Sequence, residues 1–222
     1  KVTLAFDERG NVTELAIFGA DGKPVLGTDG YAKVTLAFDE RGNLTEQAYF
    51  GVDGKVILRS DGYAKLTIVY DKRGNMAGKA YFGIDGTPIL GPDGYTKLTQ
   101  IYDERGNMTK QAYFGMDGMP ILSSNGYAKL IQVYDERGNV TEQSYFGVAG
   151  QLILQNDGYA TLTRAYDEGG NVTQLEYFGV TGKPILHKDG YAKLTQFFDK
   201  RGKMTEQAYF GKDGKSVLSS DG

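Results

Sequence analysis

The chain has 222 residues, with 25 Lys and Arg against 28 Asp and Glu, for a formal net charge of −3. Both signs are mixed along its whole length, which excludes the basic footprint of a nucleic-acid binder. It has no Cys, which excludes disulfides and thiolate metal sites, and no apolar run long enough to insert in a membrane as a helix.

The first predicted strand runs into Phe6-Asp7-Glu8-Arg9-Gly10-Asn11. The same phrase, lightly edited, begins again at Phe38, Tyr70, Tyr102, Tyr134, Tyr166 and Phe198, 32 residues apart each time. The chain is therefore a single repeat array with units 1–32, 33–64, 65–96, 97–128, 129–160, 161–192 and 193–222. A period of this length signals a solenoid, propeller or array. The 32 glycines are almost all periodic, so they are turn glycines and not the mark of a disordered chain.

Lys97–Ala128 serves as the type unit. A first strand is predicted from Tyr95 to Tyr102. Asp103-Glu104-Arg105-Gly106-Asn107 follows as a type I turn closed by a G1 bulge, with Asp bonding its own backbone and Gly supplying φ > 0. The structural turn residues are Asp7 and Gly10, Asp39 and Gly42, Asp71 and Gly74, Asp103 and Gly106, Asp135 and Gly138, Asp167 and Gly170, and Asp199 and Gly202. This turn predicts a register in which Tyr102 faces Met108 and Leu98 faces Ala112. One face then carries Leu98, Tyr102, Met108, Ala112 and Phe114 and is the expected core. The other carries Thr99, Ile101, Thr109, Gln111 and Tyr113. The Gly after the Phe is expected to mark a bulge or a close approach by another backbone or ring. Met116-Asp117-Gly118 is a second turn, Pro120-Ile121-Leu122 a short third strand, and Ser123-Ser124-Asn125-Gly126 a third turn. No segment shows a helical period.

A three-stranded unit of 32 residues is too small to bury a core, so units must stack. The expected fold is all-β: tandem repeats forming an open β-hairpin solenoid or superhelix. The alternative is closure into a seven-bladed β-propeller, although three strands per unit fit a blade poorly. The chain opens inside a strand phrase, which suggests a piece of a longer array. Without polar caps, its end units are expected to associate end to end with another molecule.

The phrase Tyr-Asp-x-x-Gly-Asn-x-Thr, at Tyr102–Thr109 and Tyr134–Thr141, resembles the YD repeat of RHS-type bacterial proteins. That resemblance implies β-hairpins wound into a spiralling sheet, often a shell around a toxin, and a secreted or cell-surface location. Tyr-Phe-Gly-x-Asp-Gly-Lys also looks like the hairpin of glucan- and choline-binding repeats. Those are Trp-rich and this chain has no Trp, so no ligand site is carried over.

Little here is suited to catalysis. The one histidine, His187, sits in a variable turn and is read as solvated. No nucleophile has a base partner, so the chain is not expected to be an enzyme or to take a cofactor. The repeated carboxylates are read as turn formers and not as calcium ligands. Asn-x-Thr at Asn11, Asn43, Asn107, Asn139 and Asn171 is read as turn exit and strand, not as a glycosylation acceptor. The 16 tyrosines form columns. One passes through Tyr31, Tyr63, Tyr95, Tyr127, Tyr159 and Tyr191. A second of the three columns, Tyr49, Tyr81, Tyr113, Tyr145, Tyr177 and Tyr209, is the candidate ligand-contact ladder, suited to a glycan or a protein partner. The leading functional reading is a structural scaffold within a larger surface or secreted protein. The competing one is a binding module with Tyr-lined grooves.

Overall fold

The computed structural model describes residues 1–218, and the seventh copy of the third turn, at 219–222, lies outside them. Each repeat contributes a hairpin. The first strands are β1 (Val2–Phe6), β3 (Lys33–Phe38), β5 (Lys65–Tyr70), β7 (Lys97–Tyr102), β9 (Lys129–Tyr134), β11 (Thr161–Tyr166) and β13 (Lys193–Phe198). Their partners are β2 (Val12–Ile17), β4 (Leu44–Phe50), β6 (Met76–Phe82), β8 (Met108–Phe114), β10 (Val140–Phe146), β12 (Val172–Phe178) and β14 (Met204–Phe210), and β15 (Ser216–Val217) ends the series. The described residues include no helix.

The strands are hydrogen-bonded in chain order from β1 to β15 as one open antiparallel sheet. Consecutive repeats share this sheet: β2 pairs with β3 through Leu15 and Val34, and β4 with β5 through Gln47 and Leu66. A propeller keeps each blade as a separate sheet, so the seven-bladed alternative is ruled out. By proximity the chain divides into two compact units, Lys1–Gln100 with Tyr113–Met119, and Ile101–Ala112 with the residues from Pro120 onward.

Within the first unit, β3 and β4 show how one repeat folds. Gly42 N–H donates to Asp39 O at 3.1 Å and Asp39 N–H to Asn43 O at 2.9 Å, with Gly42 at φ 84°. This is the type I turn with a G1 bulge that the phrase predicts. The same pattern recurs where Gly51 N–H donates to Lys55 O and where Arg59 N–H donates to Tyr63 O. One turn geometry is thus used three times per repeat.

The register differs from expectation by one residue. Phe38 faces Leu44 as predicted, but Ala37 faces Glu46, so Thr45 is an extra residue in β4. Its Oγ1 donates to Ala37 O at 3.1 Å, and Thr141 Oγ1 does the same to Val133 O at 3.3 Å in the second unit. Because strand side chains alternate, this bulge sends the rest of β4 to the opposite face. Val34 therefore faces Tyr49, and Thr35 faces Ala48. In the second unit Leu130 likewise faces Tyr145, and Ile131 faces Ser144.

The core is consequently built from Tyr and not from Phe. In the first unit Tyr49, Tyr63, Tyr81, Tyr95 and Tyr113 are buried with Val34 and Leu98. In the second unit Tyr127, Tyr145, Tyr159, Tyr177 and Tyr191 are buried with Leu130, Leu162 and Leu194. Phe50, Phe82, Phe114, Phe146 and Phe178 are only half-buried. Lysines at strand starts cover several of them, with Lys33 Nζ 4.8 Å and Lys129 Nζ 4.2 Å from the Phe50 and Phe146 ring centroids.

The third strand is mostly a single bridge, such as Phe50 with Val56 or Phe178 with Pro184, and only β15 reaches two residues. Pro cannot donate to a ladder, and two turns within the connector leave no room for a longer pairing. At the following Gly the neighbour is an aliphatic side chain and not the expected backbone or ring: a Cβ on Gly51 would sit 3.1 Å from Ile57 Cγ2.

Candidate functional site

The two predicted Tyr columns interleave into one stack. In the first unit the ring centroids of Tyr31, Tyr49, Tyr63, Tyr81, Tyr95 and Tyr113 follow one another at 5.1, 5.7, 5.0, 5.9 and 5.2 Å. In the second unit Tyr127, Tyr145, Tyr159, Tyr177, Tyr191 and Tyr209 follow at 5.0, 5.8, 4.9, 5.8 and 4.9 Å. The pairs are tilted or edge-on, the arrangement that ring quadrupoles favour. Of the candidate ladder, Tyr49, Tyr81, Tyr113, Tyr145 and Tyr177 are between 1% and 8% exposed, and Tyr209 is half-buried. Ring faces that a ligand would stack on are thus covered by neighbouring rings.

The third turn lies along the hydroxyl ends of the stack, and the residue that starts it varies between repeats: Gly27, Arg59, Gly91, Ser123, Gln155 and His187. Arg59 Nη1 lies 3.2 Å from the Tyr63 hydroxyl and 3.4 Å from that of Tyr49, and its carboxylate partner Asp61 is at 3.2 Å. The next repeat has Gly91 in the place of Arg59, where a Cβ would run into the Tyr81 ring. There Asp93 accepts from the hydroxyls of Tyr81 and Tyr95, at 3.2 and 3.1 Å, and from Lys79 Nζ at 3.2 Å. In the second unit Gln155 takes this place and is buried. His187 follows, its imidazole stacked on Tyr177 with centroids 4.5 Å apart and planes 20° apart. Its Nδ1 lies 3.1 Å from the Asp189 carboxylate, and the side chain is only 10% exposed. The sequence reading of His187 as solvated is therefore corrected: it is a packed cap.

Burial raises the pKa of several phenols in the stack. Tyr81 is pushed up to about 12, chiefly by burial. Tyr49, Tyr145 and Tyr177 also lie above the ordinary phenol range, again chiefly through burial.

The first turns form a second row. Asn43 Nδ2 donates to Asp39 Oδ2 at 3.0 Å, and Asn43 N–H donates to Asp39 Oδ1 at 2.9 Å. The same clasp joins Asp7 to Asn11, Asp71 to Asn75, Asp103 to Asn107, Asp135 to Asn139 and Asp167 to Asn171. The Asn side-chain bond leads in holding the carboxyls of Asp7, Asp39, Asp71, Asp103, Asp135 and Asp167 below the usual range. Three arginines of these turns reach the next repeat: Arg9 and Arg105 donate to the carbonyls of Glu40 and Glu136, and Arg137 to Glu168 O at 2.6 Å. The Asn-x-Thr motif thus closes a turn through Asn and seats a bulge through Thr.

Sequence reasoning also passed over an exposed aliphatic at the second turn. It is Val52, Ile84 and Met116 in the first unit, and Val148 and Val180 in the second. Its periodic recurrence in a turn was the available signal. Among the described residues, no group of three or more His, Asp or Glu is placed to hold a metal, and no helix is long and apolar enough to cross a membrane.

No family model and no curated protein matches the chain. Among solved structures it is similar to TcdB2-TccC3 without its hypervariable C-terminal region, at 15% identity and a TM-score of 0.43 over 92% of this chain and 10% of that one. TcdB2-TccC3-Cdc42 matches at 12% identity and a TM-score of 0.38, over 98% of this chain and 13% of that one. A Photorhabdus luminescens Tc holotoxin pore matches at 13% identity and a TM-score of 0.36, again over 98% and 13%. The chain therefore spans about a tenth of the length of the chains it matches.

Proposed function

We propose that the chain is a non-enzymatic scaffold, a stretch of RHS-type repeat sheet within a larger bacterial surface or secreted protein. The observation that carries this reading is that every strand pairs only with its neighbours in sequence, through one hairpin used seven times. Such an array gains length by adding units and needs no site to justify its parts. The Tyr-Asp-x-x-Gly-Asn turn supports the RHS assignment, and the variable caps support polar positions set by local packing.

The competing reading, a glycan- or protein-binding module, draws support from the exposed aliphatics of the second turn, since apolar side chains repeated on a surface suit protein contact. Two experiments separate the readings. Deleting one whole 32-residue repeat should leave a folded, shorter array. A glycan array should show no binding. Repeatable glycan binding that is lost when half-buried Tyr209 is changed to Ala would overturn the scaffold reading.

A further inference from the structure

Three departures from the repeat bear on one groove in the first unit: Thr96 and Lys97 line it, and Gly78 lies opposite Thr99, two residues along the strand from Lys97. The groove holds about 250 Å³ and is lined by Phe82, Pro88, Thr96, Lys97, Phe114 and Met116. That is below the roughly 300–1,000 Å³ of pockets for drug-sized ligands, so it suits one ring or branched chain and a small polar head.

The first departure is Thr96. Other repeats have Ala32, Ala64, Ala128, Ala160 and Ala192 in this place. Thr96 is 3% exposed, and its Oγ1 has no hydrogen-bond partner. A buried hydroxyl without a partner costs stability that alanine would spare.

The second departure is Gly78. Its equivalents Glu14 and Glu46 form ion pairs with Lys33 and Lys65, at 3.2 and 3.3 Å. With Gly there, Lys97 has no carboxylate within ion-pair distance among the described residues.

The third is Lys97 itself. It is the one exposed member among the strand-first lysines Lys33, Lys65, Lys97, Lys129 and Lys193. Its Nζ stands 6.0 Å from the Phe114 centroid, farther than Lys33, Lys65 or Lys129 stand from their phenylalanines.

The equivalent groove in the second unit, about 200 Å³ beside Phe178 and Pro184, lacks all three features. It has Ala192, and Lys193 is held by Glu176 at 2.8 Å.

We propose that the groove between Phe82 and Phe114 binds a small apolar monocarboxylate. Its aryl or branched alkyl body lies between the two rings against Pro88 and Met116. Its carboxylate takes the place of the missing Glu, accepting from Lys97 Nζ and from the Thr96 hydroxyl after rotation about χ1. A carboxylate satisfies both orphaned groups at once, whereas a cation or a neutral ligand leaves Lys97 unpaired. The site does not depend on the scaffold reading, because its loss leaves the sheet intact.

The test is titration of the whole chain with phenylacetate, followed by amide and methyl NMR shifts. Saturable shifts are expected at Thr96, Lys97, Phe114 and Met116, and not at the groove of Phe178 and Lys193. Gly78→Glu and Thr96→Ala restore residues that other repeats carry, so both should fold. Each should weaken binding, Gly78→Glu by about tenfold, the scale of one charge-assisted hydrogen bond. Phenylacetamide, with the same body and no charge, should bind about tenfold more weakly. Three outcomes would overturn the proposal: no saturable shift, equal shifts at both grooves, or unchanged affinity in a folded Gly78→Glu, Thr96→Ala double variant.

Discussion

Tyr49→Ala tests the packing most directly. Tyr49 is 1% exposed, between Tyr31 at 5.1 Å and Tyr63 at 5.7 Å, with the Arg59 guanidinium 5.2 Å from its centroid. Truncating a buried aromatic costs about 3–5 kcal/mol with its cavity term. Here each lost ring pair adds about 0.5–1.5 kcal/mol beyond area, and Arg59 loses part of its support, so the upper end applies. Tyr49→Phe keeps the ring and removes one hydroxyl, for about 1 kcal/mol. Phe50→Ala, one residue on, deletes a half-buried ring on the other face and should cost about 1.5–3 kcal/mol. The assay is urea denaturation followed by far-ultraviolet circular dichroism, with amide exchange to locate the loss. Because repeats contact only their neighbours, protection should fall first around Tyr31 and Tyr63. If Phe50→Ala proves the more damaging change, the bulge at Thr45 and the face assignment built on it are wrong.

Gly106→Val should cost about 1–3 kcal/mol through backbone strain alone, since Gly106 has φ 88° and nothing lies within 4 Å of a Cβ there; a thermal melt unchanged from the parent would refute the turn assignment. In acid, the Asp carboxyls clasped by Asn have folded pKa values below their unfolded ones, so their stabilisation is present above about pH 4 and is lost as pH falls through the folded values. Asn43→Ala with Asn75→Ala should therefore lower the melting temperature at neutral pH and flatten its decline in acid. In alkali the sign reverses. The phenols of Tyr49, Tyr81, Tyr145 and Tyr177 have folded values above the unfolded one, so their contribution to stability is complete below about pH 10 and declines as pH rises toward the folded values. The tyrosinate absorbance should then lag behind that of a free chain until the sheet unfolds. Titration of all 16 tyrosines near pH 10 with the circular dichroism unchanged would contradict the buried stack.

The hairpins were legible because turns are local. Asp39, Gly42 and Asn43 dictate their geometry by φ and by hydrogen bonds within five residues, and the 32-residue period places the copies. The identity of the core was not legible by the same means. It hangs on one extra residue, Thr45, whose insertion reverses every side chain after it. Counting outward from the turn puts Phe114 on the core face and Tyr113 on the other, whereas the bulge puts Tyr113 inside with Leu98 and leaves Phe114 half-buried; Ala112 is buried as expected. The signal was available in Thr two places after Asn, a hydroxyl able to reach the partner strand's carbonyl. His187 was misjudged for another reason. A turn residue is solvated only if nothing stands beside it, and the Tyr stack at its side could not be known before the register was.

The strand order also has a mechanical consequence. Among the described residues no strand is held by a segment distant in sequence, since β2 is followed by β3 and β4 by β5 throughout. A force applied at the two chain ends therefore peels ladder bonds one after another, as a zipper opens, instead of shearing many together. Each 32-residue repeat released spans roughly 105–115 Å at full extension, and the chain lengthens by that less the distance the folded repeat already covers. Stretching single molecules should give a sawtooth of low, evenly spaced steps, with the bulged turn and its Tyr pair as the element that resists at each one.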